Sequence, residues 1–278
     1  MPLNLCPEGV KGDYIDAGIW SAKAIEEASR FGNVHVAASA KGYDFFAIPG
    51  QNDWDLSADA AYVHYTPNET IGGLEFNWIP EVGDKPLVAD MSSTILSRPL
   101  DVSRFGMIYA GAQKNIGPSG LVVVIIREDL LGSARASCPT MLDYAVAAKN
   151  ASMYNTPPTF AWYLSGLIFQ WLKQQGGLEA MQRINEAKQH MLYKAIDASE
   201  LYSNPINTAD RSWMNVPFRL ADDRLDKPFL LGAEARGLLN LKGHRSVGGM
   251  RASIYNAVPQ EAVDALVAYM AEFEQQHG

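Results

Sequence analysis

Lys114 is the residue whose surroundings most suggest chemistry. It stands in Ile108-Tyr-Ala-Gly-Ala-Gln-Lys-Asn-Ile-Gly-Pro-Ser-Gly120, between an apolar run at 107–110 and a second at 121–126. Runs of that length broken by Gly and Pro read as buried strands joined by a turn. A lysine delivered between them meets a desolvation penalty on its ammonium form. Held neutral in this way, its amine is a nucleophile toward carbonyls and can form a Schiff base. The alternative is a lysine that snorkels from a strand end into water, and on this stretch alone that plainer reading is favoured.

Other residues change the balance. Asp90 closes the apolar run 86–90, so an ionised carboxylate there needs a cation, either an arginine or a protonated ring nitrogen. Ser92 follows it in the same turn. Trp20, two residues past Gly18, offers a flat face for stacking. Thr70 and Gln113 are neutral donors for a phenolic oxygen, and Asn155 and Thr156, just before Pro157 and Pro158, can hold phosphate oxygens. Tether, electron-sink partner, stacking plate and anchor together describe a pyridoxal-phosphate site.

The elements that must position these residues follow from the hydrophobic pattern. Strands are expected at 13–18, 33–37, 60–65, 86–90, 107–110 and 121–126, and a helix at 22–30 capped by Ser21. Short apolar runs separated by helices and loops imply an α/β fold, a mainly parallel sheet sandwiched by helices. Ligands then sit at the carboxyl ends of the strands, where residues 18–20, 66–70, 90–92 and 113–114 all fall. Beyond residue 152 the pattern changes to an aromatic helix at 159–174, read as core or subunit interface, and a longer amphipathic helix at 178–198. Strands at 212–218 and 249–255 with helices at 227–239 and 261–275 complete a small C-terminal α+β unit. The expected division is a cofactor-binding domain at 1–175 and a connector helix with a small domain at 176–278.

Composition excludes several classes. A net charge of −8 with no Lys/Arg cluster argues against a nucleic-acid partner. No apolar run is long enough for a membrane span, and no signal peptide is evident at the start. Cys6 and Cys138 form neither a metal-type spacing nor a disulfide framework, so a cytoplasmic protein without a bound metal is expected.

The motif 110–120 resembles the lysine motif of phosphoserine aminotransferases, a branch of the fold-type-I pyridoxal-phosphate enzymes. The likeness continues through 13–20, 64–71, 89–98, 154–162 and 243–256, essentially the whole chain. It implies that Lys114 carries the cofactor and moves the substrate proton, and that Asp90 pairs with the ring nitrogen. Trp20 would stack on the ring, Thr70 and Gln113 would hold its polar edge, and Asn155 and Thr156 would reach the phosphate of a neighbouring subunit in a homodimer. His244, Arg245 and Arg251 would bind substrate phosphate and carboxylate, in keeping with two arginines that flank a Gly-Gly turn in an acidic chain. For these three residues the plainer alternatives are interdomain ion pairs and a loop histidine. The implied reaction exchanges an amino group between glutamate and 3-phosphooxypyruvate in serine biosynthesis. The small-molecule partners are phosphoserine, glutamate and 2-oxoglutarate, with 4-phosphooxythreonine of pyridoxine biosynthesis as a further substrate.

The chain departs from the family at its start. The N-terminal stretch carrying a glycine-rich phosphate loop and a carboxylate-binding arginine is not among these residues, which open in what should be the body of the helix after that loop. A polypeptide of these residues alone is therefore expected to show weakened or absent transaminase activity. The alternatives are a non-catalytic homologue or dimer partner, and another fold-type-I enzyme such as a desulfurase. The arginines speak against the latter.

Overall fold

The computed structural model describes residues 1–277. Its first half alternates strands and helices: α1 (Pro2–Leu5), β1 (Lys11–Asp16), α2 (Ile19–Ser29), β2 (Asn33–Ser39), β3 (Val63–Tyr65), β4 (Leu87–Asp90), β5 (Met107–Gly111) and β6 (Val122–Ile126). These form one sheet in the order β2-β1-β3-β4-β5-β6. All neighbours are parallel except β6, which returns antiparallel along β5 through the turn that carries Lys114. Strand alternation sends Val63, Tyr65, Leu87, Ala89, Ile108 and Ala110 into one core. Tyr14, Val88 and Met107 enter a second core on the opposite face. The sheet is thus covered on both sides, as near-continuous apolar strands require.

The chain continues through α3 (Tyr144–Lys149), α4 (Thr159–Gln174) and α5 (Gly177–Asp197) to β7 (Tyr202–Ser203), β8 (Asn215–Leu220), α6 (Asp226–Ala235), β9 (Met250–Ser253) and α7 (Gln260–His277). The antiparallel β7-β8-β9 sheet packs against α5, α6 and α7 around Phe218, Phe229 and Phe273. Three asparagines fasten this unit to the lysine turn. Asn115, next to Lys114, accepts from the Asn256 backbone N–H at 3.1 Å. Asn256 donates through its side chain to the Leu96 carbonyl and accepts from Asn185 of α5. The buried Lys188, one turn on, donates to the carbonyls of Ile254, Tyr255 and Val258, so the exit of β9 is held by one ammonium.

One local expectation is corrected. Ser21 is not the cap of α2: Gly18 occupies that position, and Ser21 lies three residues inside, accepting from the N–H groups of Ala17 and Gly18. The short helix α3 falls where the sequence pattern marks no element, because six residues span less than two turns. Helix α4 buries only Ala161, Ser165 and Leu172, while Phe160 (72 %) and Tyr163 (64 %) stand exposed. Its aromatic stripe is therefore not core within this chain, and of the two roles expected for it the subunit interface is left.

A buried ion pair stiffens the loop before the small unit. The Glu75 side chain is fully buried, pairs with Arg98 and accepts from the Trp213 N–H at 2.7 Å. The Arg98 guanidinium stacks on the Trp213 ring, 4.4 Å from its centroid. Burial pushes the Glu75 carboxyl up, and Arg98 is the main opposing influence. Arg98→Ala strands that carboxylate and should lower unfolding stability by about 3 kcal/mol, read from urea denaturation.

Candidate active site

The parallel strands β1, β3, β4 and β5 end at one edge, and the residues following each end meet there. After β5 the Ala112 N–H bonds back to the Leu121 carbonyl, and the N–H groups of Ile116 and Gly117 bond to the Ala112 carbonyl. This tight turn presents Lys114. Its Nζ donates to Thr70 Oγ1 at 2.6 Å and lies 5.9 Å from the centroid of the Trp20 ring. Burial pushes the amine down to about 8; Asp90 and Glu69 oppose that shift, and Arg251 adds to it. Near neutrality such an amine has about 300 times the neutral fraction of an ordinary lysine. Reductive labelling of Lys114 by a small aldehyde should accordingly rise with pH and level off above about 8. Surface lysines should continue to gain toward pH 10. A Lys114 profile that follows theirs contradicts the burial argument.

Asp90 is held from the next loop residues. Its Oδ1 accepts from the Ser92 N–H at 3.0 Å and the Ser92 hydroxyl at 2.6 Å. The Ser92 oxygen in turn accepts from the Gly111 N–H, so the ends of β4 and β5 are locked together. Among the described residues no donor at full hydrogen-bond geometry reaches Asp90 Oδ2, and the Tyr109 hydroxyl on the adjacent strand is the further donor within reach of this carboxylate. A half-buried carboxylate with one oxygen fixed and one unengaged is suited to a cationic ring nitrogen.

Trp20 sits in the first turn of α2, and its placement comes from a residue distant in sequence. The buried Glu69 carboxylate accepts from the N–H groups of Trp20 and Ser21 and from the Ser21 hydroxyl, at 2.8–2.9 Å. It thereby satisfies the open N–H groups at the start of the helix. Gly18 makes room for it, since a Cβ at that position would lie 2.7 Å from Glu69 Cδ. The Trp20 ring is 39 % exposed, with the Lys23 ammonium 4.7 Å from its centroid. Arg251 comes from β9: it donates to the Thr70 carbonyl at 3.3 Å, and its buried Nε has no partner. A tether, a carboxylate, an aromatic plate and an arginine with an unused donor fit a phosphorylated pyridine aldehyde and an anionic substrate.

The structure gathers Lys114, Asp90, Ser92, Thr70, Trp20 and Arg251, and leaves the other candidates apart. Gln113 is exposed beside Gly111 and makes no hydrogen bond. Asn155 and Thr156 are exposed and line a separate cleft of about 760 Å³ with Leu121, Val123 and Trp162. His244 and Arg245 lie exposed in the Gly243–Gly248 loop, where His244 Nδ1 meets the Ser246 hydroxyl at 2.6 Å. Sequence reasoning missed Glu69. Its capping partners lie 48 and 49 residues earlier, and only its position beside Thr70 at a strand end hinted at a role. Among the described residues no group of acidic, His or Cys side chains is arranged to hold a metal ion.

The mainly parallel sheet, with Lys114 and Asp90 at its carboxyl edge, has the architecture of the fold-type-I pyridoxal-phosphate class. The aminotransferase class-V family model matches residues 4–266, and the chain belongs to that family. It is 79 % identical over 276 residues to the phosphoserine aminotransferase of Pseudomonas syringae pv. syringae (strain B728a), covering 99 % of this chain and 76 % of that protein. Phosphoserine aminotransferase from Bacillus circulans subsp. alkalophilus superposes with a TM-score of 0.97 at 47 % identity, over 100 % of this chain and 77 % of that one. The PLP-bound phosphoserine aminotransferase from Trichomonas vaginalis superposes at 0.91 with 44 % identity, over 97 % and 77 %.

Proposed function

We propose that this chain carries out phosphoserine:2-oxoglutarate amino transfer with pyridoxal 5'-phosphate held at Lys114. The observation that carries the reading is the Lys114 amine, depressed to about 8 and oriented by Thr70, on the same edge as Asp90. When bound, the cofactor supplies an electron-poor ring that takes up the electron pair released at the substrate Cα. Lys114 Nζ would hold the cofactor and, once its amine is released, would take the substrate Cα proton and pass it to the cofactor's aldehyde carbon. Thr70 Oγ1 orients Nζ, the Asp90 carboxylate steadies the ring nitrogen, and Trp20 covers one ring face. Arg251 takes one anionic group of the substrate and His244 and Arg245 of the exposed loop take the other; Gln113 supports the ring's polar edge.

The same reading assigns residues 1–175 to cofactor binding and 176–278 to the connector and small domain. It places Asn155 and Thr156 at the cofactor phosphate of a second copy, so that the working unit is a homodimer. The exposed aromatic face of α4 and the exposed Val122 of β6 support such an interface. Among the described residues no helix is long and apolar enough to cross a membrane, in keeping with a cytoplasmic enzyme of serine biosynthesis. Turnover of 4-phosphooxythreonine in pyridoxine biosynthesis follows from the same anion pocket.

The test is glutamate formation from 2-oxoglutarate with phosphoserine as donor. The reading predicts phosphoserine-dependent turnover, and a preference over serine or alanine that Arg251→Ala erodes by at least tenfold. No transfer, in a protein that binds the cofactor, would leave the non-catalytic alternative standing. Transfer from uncharged amino acids alone would point to another member of the fold class.

A further inference from the structure

Next to Asp90 lies a hydrogen-bonded pair with no part in the amino transfer: His64 of β3, buried, and Tyr109 of β5, half-buried. His64 is fully buried, and its Nε2 lies 2.9 Å from the Tyr109 hydroxyl. Its ring lies against Tyr14 (centroids 4.9 Å), with the Tyr109 ring centroid 5.9 Å away. Asp90 and Tyr109 are register partners on adjacent parallel strands, so their side chains emerge on one face of the sheet. The Tyr109 hydroxyl is held well above its ordinary pKa, first by burial and then by the charge of Asp90. It therefore stays protonated. Burial, with a contribution from the chain's amino terminus, pushes His64 down to about 3, so its imidazole is neutral. Other titratable groups around the pair are Tyr62, Tyr144 and Glu27.

A neutral imidazole has one N–H, and the packing selects its place. Among the described residues, His64 Nδ1 is buried without a partner. A proton on Nδ1 would be an unpaired buried donor, and Tyr109 would have to turn its only hydrogen toward Nε2 and away from Asp90. A proton on Nε2 finds the Tyr109 oxygen as acceptor and leaves only a lone pair at Nδ1. The Tyr109 hydrogen is then free for the carboxylate. We propose that His64 and Tyr109 form a polarised relay, His64 Nε2–H to Tyr109 O–H to Asp90, which holds that carboxylate ionised and oriented toward the ring nitrogen. Both are positioning residues, and the proposal rests on Asp90 being the ring-nitrogen partner.

Histidine-selective ¹⁵N NMR of the ligand-free protein should show His64 protonated at Nε2 and bare at Nδ1 throughout the neutral range. In titrations with pyridoxal 5'-phosphate, Tyr109→Phe should weaken binding about tenfold, the effect of one lost hydrogen bond to a charge. Tyr14→Phe, which keeps its ring contact with His64 and loses only its bond to Tyr62, should bind as tightly as the parent. A purely structural role would make the two variants alike. If Tyr109→Phe fails to fold, the pair His64→Gln and His64→Asn decides: Gln keeps a donor near Nε2 and should retain affinity, and Asn should lose it. His64 protonated at Nδ1, or Tyr109→Phe binding as tightly as Tyr14→Phe, overturns the relay. Asp90→Asn separates the two levels: weakened binding there with unaltered Tyr109→Phe removes the relay alone, whereas unaltered Asp90→Asn removes the role of Asp90 itself.

Discussion

Lys114→Ala lowers kcat for phosphoserine by about 10⁴-fold or more, because the tether and the proton carrier vanish together. The protein should not unfold more easily, since the change removes an ammonium that burial disfavours by pushing its pKa down to about 8. Added methylamine should restore part of the rate by standing in for the missing amine. Lys114→Arg should be as inactive as the alanine variant: it keeps the charge but offers no nucleophile near neutral pH. Steady-state rates at saturating substrate, alongside urea denaturation, check both halves. Near-parental turnover by Lys114→Ala would remove this residue from the chemistry.

Asp90→Ala should lower kcat by about 10³-fold while leaving the Schiff-base absorbance of bound cofactor in place. The separation matters, because the tether is Lys114 and the carboxylate acts at the far side of the ring. Ser92→Ala should give a milder loss, since it removes the hydroxyl bond to Asp90 Oδ1 and leaves the backbone one. A rate for Asp90→Ala within tenfold of the parent would show that the ring nitrogen has another partner.

Much of this site could be read from the chain because its parts fall at strand ends. Asp90, Lys114 and Thr70 each follow an apolar run, and in a parallel sheet such ends converge without further information. The motif around Lys114 and the likeness along the whole chain carried the rest. What escaped the reading depends on contacts far apart in sequence. Glu69 caps α2 from 48 residues away, and the Asn115–Asn256–Asn185 chain joins the lysine turn to a strand exit and a connector helix. His64 looked like one more residue of a short strand; its meaning lies in Tyr109, 45 residues later and two strands across. For helix α4 the pattern left core and subunit interface open, since an apolar stripe reads the same in either place. The helix cap failed for a local reason: Ser21 has the right chemistry, but its hydroxyl folds back onto Gly18 while Glu69 does the capping.

The central claim is that one flat, electron-poor ring sits between the Lys114 amine and the Asp90 carboxylate. A crystal structure of the protein grown with pyridoxal 5'-phosphate tests it most directly. The account predicts continuous density from Lys114 Nζ into a ring that lies against Trp20, with its nitrogen within hydrogen-bonding distance of Asp90. A cofactor bound away from Lys114, or one whose ring nitrogen faces any group but Asp90, would contradict it.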